Sequence, residues 1–150
     1  MPDQSGKFDG TEAAELAGPW IPELSTCVSD RDAGGPELDN GRTEMINCRL
    51  GNLDVYFETF ETAKEFGWTR DYRADASRKS RALVPGAETP RQKTGPVTGK
   101  TGTYFEYVTG KTCGMFWTHT GSLTDLRVET SCAAIDDSWT TLRTVWNRFG

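Results

Sequence analysis

The most informative segment for the fold is residues 103–118, with the sequence Thr-Tyr-Phe-Glu-Tyr-Val-Thr-Gly-Lys-Thr-Cys-Gly-Met-Phe-Trp-Thr. Both halves are rich in β-branched and aromatic residues, and Gly110 between them can adopt the positive φ that a tight hairpin turn requires. The register of such a turn pairs Tyr104 with Trp117, Phe105 with Phe116, and Tyr107 with Gly114. Both faces of this hairpin are therefore apolar. One face must meet a core, and the other is either covered by a helix or loop or exposed for binding.

Three further strands are predicted outside this hairpin. Residues 44–49 and 53–58 flank Gly51-Asn52, a dipeptide that suits a tight turn. Residues 125–130 alternate apolar Leu126 and Val128 with charged neighbours. Together with the central hairpin, these segments predict a small antiparallel sheet of about five strands.

Two or three helices are predicted to pack on this sheet. Thr62 and Glu65 have the spacing of a capping box, and the helix that follows takes its bulk from Phe66, Trp68 and Tyr72. A short helix over 12–17 can be capped by Thr11. The chain closes with a helix that Asp136 or Asp137 can cap and whose apolar residues recur at helical spacing: Trp139, Leu142, Val145, Trp146 and Phe149.

The segments between these elements define the domain organisation. Residues 1–10 are polar and predict a disordered tail, and 29–43 form a polar loop rich in Gly and Asp. Residues 78–102 contain Pro, Gly and basic residues without apolar periodicity, which predicts a long mobile loop. We therefore expect a single α+β domain over 11–150.

Four cysteines lie at Cys27, Cys48, Cys113 and Cys132, with no CxxC spacing. Isolated cysteines in even number indicate two disulfides more than a zinc site, and disulfides indicate an oxidising compartment. No secretory signal or apolar span is visible. Either the protein is cytosolic or a signal or anchor preceded this segment, and the cysteines favour the second, with Met1 then foreign to the mature protein.

The sequence allows three pairings of these cysteines. We favour Cys27–Cys48, which would close the Gly/Asp-rich loop, and Cys113–Cys132. A turn centred on residues 121–124 sets Cys113 directly opposite Cys132, whereas a two-residue Gly121-Ser122 turn sets Cys113 opposite Thr130 and would need a bulge or another pairing.

Charge excludes some classes of partner. The net charge of −5 argues against a general binder of nucleic acid or membrane surfaces. Residues 1–61 carry 13 acidic and 4 basic residues, whereas 70–111 carry 9 basic and 4 acidic. These two segments either attract each other or stay solvated, or the basic one forms a surface for an anionic partner.

Motifs for catalysis, phosphate binding and metal binding are missing. His119 is the one histidine, lies beside a predicted turn and belongs to no nucleophile motif such as GxSxG. The run Gly95-Pro-Val-Thr-Gly-Lys-Thr101 has three residues between its glycines, and a Walker A loop needs four. The acidic residues of 30–39 lack EF-hand spacing, so no metal or cofactor is expected.

Aromatic and basic residues are the better candidates for binding. The tentative binding residues are those of the central hairpin and of the basic segment: Tyr104, Phe105, Tyr107, Phe116, Trp117, Arg91, Lys93 and Lys100.

The order of these features resembles a known family. The succession runs from an Ile-Pro segment and Cys27 through Met45-Ile-Asn-Cys48 and Val55-Tyr-Phe-Glu-Thr-Phe60 to Gly99–Tyr107, Trp117 and Trp146. Over about residues 20–149 it is similar to the extracytoplasmic domains of actinobacterial membrane proteins such as Ser/Thr protein kinases. That resemblance implies sensing or binding, and kinase motifs are absent. Cys113 and Cys132 are additional to the family pattern, which leaves open a specialised or free-standing secreted member.

We therefore expect a non-catalytic extracytoplasmic binding or sensor domain. Its ligand would be a cell-envelope component or a protein, with no nucleic acid and no direct membrane insertion by this segment. The alternatives are a secreted protein-interaction factor or inhibitor that uses the basic 78–102 loop, and a small hydrolase with an unrecognised site.

Overall fold

Seven antiparallel strands form one sheet in the computed structural model, which describes residues 2–150. The strands are β1 (Ser25–Ser29), β2 (Arg42–Leu50), β3 (Leu53–Phe60), β4 (Arg91–Thr94), β5 (Thr101–Thr109), β6 (Thr112–His119) and β7 (Thr124–Ser131). Their order across the sheet is β1-β2-β3-β7-β6-β5-β4. The predicted α+β class is confirmed, but the prediction of about five strands was too small.

The two strands that the sequence did not predict are the edges of the sheet. β4 has the sequence Arg-Gln-Lys-Thr and pairs with β5, and of its four residues only Lys93 is partly buried. β1 is interrupted by a register shift between Ser25 and Val28, and Thr26 has a φ of 48°. Because neither strand alternates apolar and polar residues, periodicity could not reveal them.

The central hairpin has the predicted register. Tyr104 pairs with Trp117, Phe105 with Phe116 and Tyr107 with Gly114. The pairing with Tyr107 explains why residue 114 is a glycine, because a Cβ at Gly114 would lie 2.5 Å from Cζ of Tyr107.

Helices cover both faces of the sheet. Within residues 2–150 the α-helices are α1 (Ala13–Ala17), α2 (Ala63–Ser80) and α3 (Thr140–Phe149). The larger core joins α1 and α3 to one face through residues such as Leu16, Trp117 and Trp146. A smaller core on the other face joins Phe66 of α2 to Phe105 and Phe116. The hairpin is therefore covered on both sides.

The starts of α2 and α3 differ in how well they were predicted. The Thr62 hydroxyl accepts a hydrogen bond from the Glu65 amide at 3.3 Å, as expected for the predicted cap. The apolar stripe of α3 is buried except for Val145, which is partly buried. Asp136 and Asp137 do not cap α3, because both lie in the preceding turn with φ values of 53° and 52°.

The segments predicted as a disordered tail and a long mobile loop contain some regular structure and some buried side chains. Met1 lies outside the described residues. Phe8 is buried edge-on against Phe57, with ring centroids 5.1 Å apart, and Gln4 is also buried, whereas most of residues 2–10 are exposed. The Thr11 hydroxyl donates to the Phe8 carbonyl and does not cap α1. The 78–102 segment includes the end of α2 and all of β4, so its irregular parts are shorter than predicted. Its mobility stays a prediction.

Two disulfides link neighbouring elements. Cys27 bonds to Cys48 and Cys113 to Cys132, with Cα atoms 4.0 and 4.9 Å apart. The pairs are those favoured from the sequence, but the register favoured for the second was wrong and the alternative register is present, since Cys113 lies opposite Thr130. Cys132 turns into a helical conformation directly after β7, and its amide donates to the Lys111 carbonyl, which brings its sulfur back to Cys113.

Candidate functional site

The five aromatic residues predicted to bind a ligand form no exposed surface. Tyr104, Phe105, Tyr107, Phe116 and Trp117 are each at most 1% exposed. Packing explains this, because the larger core buries Tyr104 and Trp117 and the smaller core buries the other three. Of the two alternatives left open for the second face of the hairpin, the structure therefore shows the covered one.

The three basic candidates are engaged in intramolecular contacts. Lys93 lies 4.4 and 4.3 Å from the ring centroids of Tyr104 and Trp146 and forms an ion pair with Glu88. Arg91 is exposed and pairs with the same carboxylate at 3.4 Å. Lys100 pairs with Glu15, which links the basic segment to the acidic one. The structure thus does not join these three to the aromatic residues as one binding surface.

A different site lies where α1 faces the turn between β6 and β7. This cleft of about 660 Å³, here called the His119 cleft, also borders the ends of β2 and β3. Its lining combines carboxylates, hydroxyls and apolar side chains with one imidazole: Glu12, Glu15, Leu16, Thr43, Thr59, Phe60, Glu61, His119, Thr120, Gly121, Ser122, Leu123 and Thr124.

His119 is the unusual residue of this cleft. It is the last residue of β6, is 8% exposed and packs edge-on against the indole of Trp117, with ring centroids 5.6 Å apart. Its Nε2 atom is buried and has no hydrogen-bond partner among residues 2–150. Burial, and to a smaller extent the charge of Lys100, lowers the pKa of His119 below its ordinary value. The ring is therefore neutral at pH 7 and lies against the core although it stands beside a turn.

The walls of the His119 cleft are held by hydrogen bonds. The hydroxyls of Thr59 and Thr124 lie 2.7 Å apart across β3 and β7, and the Thr118 hydroxyl donates to the Thr124 carbonyl. Glu44 accepts from the Thr59 hydroxyl at 3.0 Å and from the amides of Glu12 and Ala13, which joins α1 to the sheet. A site whose walls are fixed in this way loses little conformational entropy when a ligand binds.

A buried charge cluster lies on the opposite face of the sheet. Glu58 and Asp125 are direct neighbours on β3 and β7 and are 1% and 0% exposed. Arg127 donates to Glu58 at 2.8 Å, and Arg42 approaches the same carboxylate at 3.4 Å. Both carboxyl oxygens of Asp125 lack a hydrogen-bond partner in the described part of the chain.

The two carboxyl groups of this cluster titrate in opposite directions. Burial, followed by repulsion from Glu58, raises the pKa of Asp125 to about 7. Burial also opposes ionisation of Glu58, but the guanidinium groups of Arg127, Arg73 and Arg42 outweigh it, so the pKa of Glu58 is lowered. At neutral pH the cluster therefore holds an ionised Glu58 beside an Asp125 that is partly protonated. Because Asp125 is fully buried, a ligand cannot reach it in this conformation.

Metal ligands and membrane spans are not features of residues 2–150. No group of three or more His, Cys, Asp or Glu side chains there could hold a metal ion. Within the same range no helix combines the length and apolar character needed to cross a bilayer.

Sequence reasoning missed the His119 cleft because its residues come from four separate segments. The one available signal was the set of threonines at strand ends beside the single histidine. In comparisons with known proteins, no family model matches this sequence, and no curated protein or solved structure matches it significantly.

Proposed function

We propose that this chain is a non-catalytic extracytoplasmic binding or sensor domain that takes a small polar ligand in the His119 cleft. The observation that carries the proposal is the buried Nε2 atom of His119, which finds no partner within residues 2–150 although it borders a cleft. A buried polar atom without a partner costs free energy, and a small rotation of the ring toward the cleft would let a ligand bond to this atom and recover that cost.

The size and lining of the cleft support this proposal. Its volume of about 660 Å³ lies within the range of small-molecule sites, which are usually concave and largely preformed. Glu12, Glu15 and Glu61 give one side of the lining a negative charge, and Lys100 offsets part of it by pairing with Glu15. A ligand with an amino group, such as a cell-wall peptide, complements these charges.

The cellular location is part of the proposal. Two disulfides are consistent with an extracellular or otherwise oxidising location. The resemblance to extracytoplasmic domains of actinobacterial membrane proteins supports the more specific assignment. A cell-envelope component or a protein segment would then be the natural source of the ligand.

Binding is favoured over hydrolysis by the surroundings of His119. A catalytic imidazole is normally oriented by a carboxylate, and in residues 2–150 no carboxylate hydrogen-bonds to this ring. The nearest acidic groups of the lining lie on α1 and at the end of β3.

The experiment uses the single histidine as a reporter. We expect an amine-bearing cell-wall stem peptide to shift the ring resonances of His119 in an NMR titration. Thr120→Trp would fill the cleft and abolish the shift. Lys111→Trp, at the other end of β6, is the matched control and should leave the shift unchanged. A ring that does not respond to peptide, or a response that survives in Thr120→Trp, would contradict the proposal.

A further inference from the structure

Trp68 and Tyr72 of α2 are exposed in a way that packing does not explain. Their exposed fractions are 63% and 73%. The other four tryptophans, all within residues 2–150, are at most 4% exposed. Because the two residues are four positions apart on a helix, their rings lie on the same side, one turn from each other.

These two rings border a groove between α2 and the turn that precedes β2. The groove has a volume of about 390 Å³, and its remaining lining is polar: Asn40, Arg42, Glu65, Thr69 and Arg73. Within the described chain no aliphatic residue lines it. We call it the Trp68 groove.

The shape of the Trp68 groove depends on Gly41. This residue has a φ of 78°, and a Cβ there would collide with the carboxylate of Glu65. Glycine therefore suits the positive φ of this turn and lets it pass close to the Glu65 side chain of α2. Arg42 is held in place by Asp39 at 2.8 Å and by Glu58 at 3.4 Å.

The ring of Trp68 is also held in place. The Lys64 ammonium group lies 5.0 Å from its centroid, one turn earlier on α2. This contact occupies one face of the indole and leaves the other available. An exposed aromatic side chain that is held in a fixed orientation loses little entropy on binding.

We propose that the Trp68 groove binds a neutral oligosaccharide. The C–H bonds of a sugar ring carry partial positive charge and complement the negative face of an aromatic ring. The hydroxyl groups of the sugar can exchange hydrogen bonds with the amide of Asn40, the hydroxyl of Thr69 and the guanidinium of Arg73.

The charges of the groove select a neutral ligand. Arg42 is already neutralised by Asp39 and Glu58, and the charge of Arg73 is attracted to Glu58 on the sheet. A charged ligand of either sign would therefore gain little electrostatic attraction in the groove. An apolar peptide would find no aliphatic lining to bury its side chains. This site is separate from the His119 cleft and does not depend on it.

Trp68 offers a selective test. It is the one exposed tryptophan in residues 2–150, so acrylamide quenching of the intrinsic fluorescence reports mainly on its indole. We expect one or more trisaccharides from a panel built on glucose, galactose, mannose and N-acetylglucosamine to protect the fluorescence at millimolar concentrations.

Two variants complete the experiment, with affinity measured by calorimetry. Trp68→Ala should weaken saccharide binding about tenfold or more while the melting temperature stays the same, since the side chain is mostly exposed. Leu83→Ala removes a side chain that is also 63% exposed but lies outside the groove, and it should bind like the unmodified protein.

Three results would overturn the proposal. The first is a panel in which no trisaccharide protects Trp68. The second is equal loss of binding in Trp68→Ala and Leu83→Ala. The third is protection by a charged peptide or a protein partner where saccharides fail, because the surface would then belong to a macromolecular partner.

Discussion

Asp125 is a single residue whose position sets part of the pH dependence of the fold. Its pKa is raised to about 7 in the folded protein, whereas an unfolded aspartate titrates near about 4. Between these two values the folded state keeps a proton that the unfolded state has lost. Stability from this group is therefore present at about pH 4 and is lost as the pH rises to about 7.

Neighbouring groups act in the opposite direction. The pKa of Glu58 is lowered, so the stability that Glu58 contributes is present above the pKa of a glutamate in the unfolded chain and is lost in acid. The pKa of His119 is also lowered, so its contribution is lost as the pH falls below about 6.5. A variant is needed to separate the contribution of Asp125 to the pH dependence of stability from the contributions of these two residues.

We expect Asp125→Asn to remove the loss of stability that accompanies ionisation of this carboxyl group. The difference in unfolding free energy, variant minus unmodified protein, should rise by on the order of 2–3 kcal/mol between about pH 4.5 and pH 8. Urea denaturation across this range measures it. Thr130→Val, which changes another residue of β7 and carries no titratable group, is the control and should give a flat difference. Parallel curves for Asp125→Asn and the unmodified protein would show that Asp125 ionises normally.

At the scale of elements, α2 and β4 change what is expected of the basic segment. The sequence predicted the start of α2 correctly because the Thr62 cap is a local signal. It did not reveal β4, because a short polar edge strand is specified by its pairing with β5 and not by its own pattern. Val84 and Ala87 are buried between these elements and tie the connection to the core.

Limited proteolysis with trypsin should therefore cut first after Arg81. This residue is exposed in the turn after α2, whereas Arg91 and Lys93 lie in β4 and pair with β5. Mass spectrometry of the early fragments identifies the cut, and Arg81→Gln should delay it. Early fragments beginning at Gln92 or Thr94 would instead indicate that β4 opens more readily than the turn.

At the scale of the whole molecule, the two disulfides should supply much of the net stability. They close loops with sequence separations of 21 and 19 residues. The chain-entropy relation gives roughly 3 kcal/mol for each, and the sum is comparable to the net stability of a typical domain.

We expect reduction to leave the protein marginal or unfolded at 37 °C. Circular dichroism with and without reductant measures this. Cys27→Ala/Cys48→Ala and Cys113→Ala/Cys132→Ala, each with the other disulfide intact, should lose similar amounts of stability. Non-reducing peptide mapping checks the connectivity. If urea unfolds the reduced and the oxidised protein at the same midpoint concentration, the prediction is refuted.

The site was harder to predict than the fold because it depends on long-range pairing. The hairpin over 103–118 could be read from adjacent residues, and its register was correct. The His119 cleft requires β3 to lie beside β7, which brings Thr59 next to Thr124, 65 positions away. No local pattern encodes that neighbour relation. The sequence left open whether the second face of the aromatic hairpin is covered for the same reason, since its covering helices lie far along the chain.

The edges of the sheet bear on how the protein behaves when it is concentrated. An open sheet presents unpaired amides and carbonyls at its two outer strands, and these can recruit further chains into fibrils. Here one outer strand carries Arg91 and Lys93, and the other is broken by the irregularity at Thr26. Like charges on β4 would repel a second copy of that strand, and the kink in β1 would interrupt a continuous new ladder. The polar sequence of β4 and the irregularity of β1, which prevented the prediction of both strands, therefore oppose amyloid-like self-association.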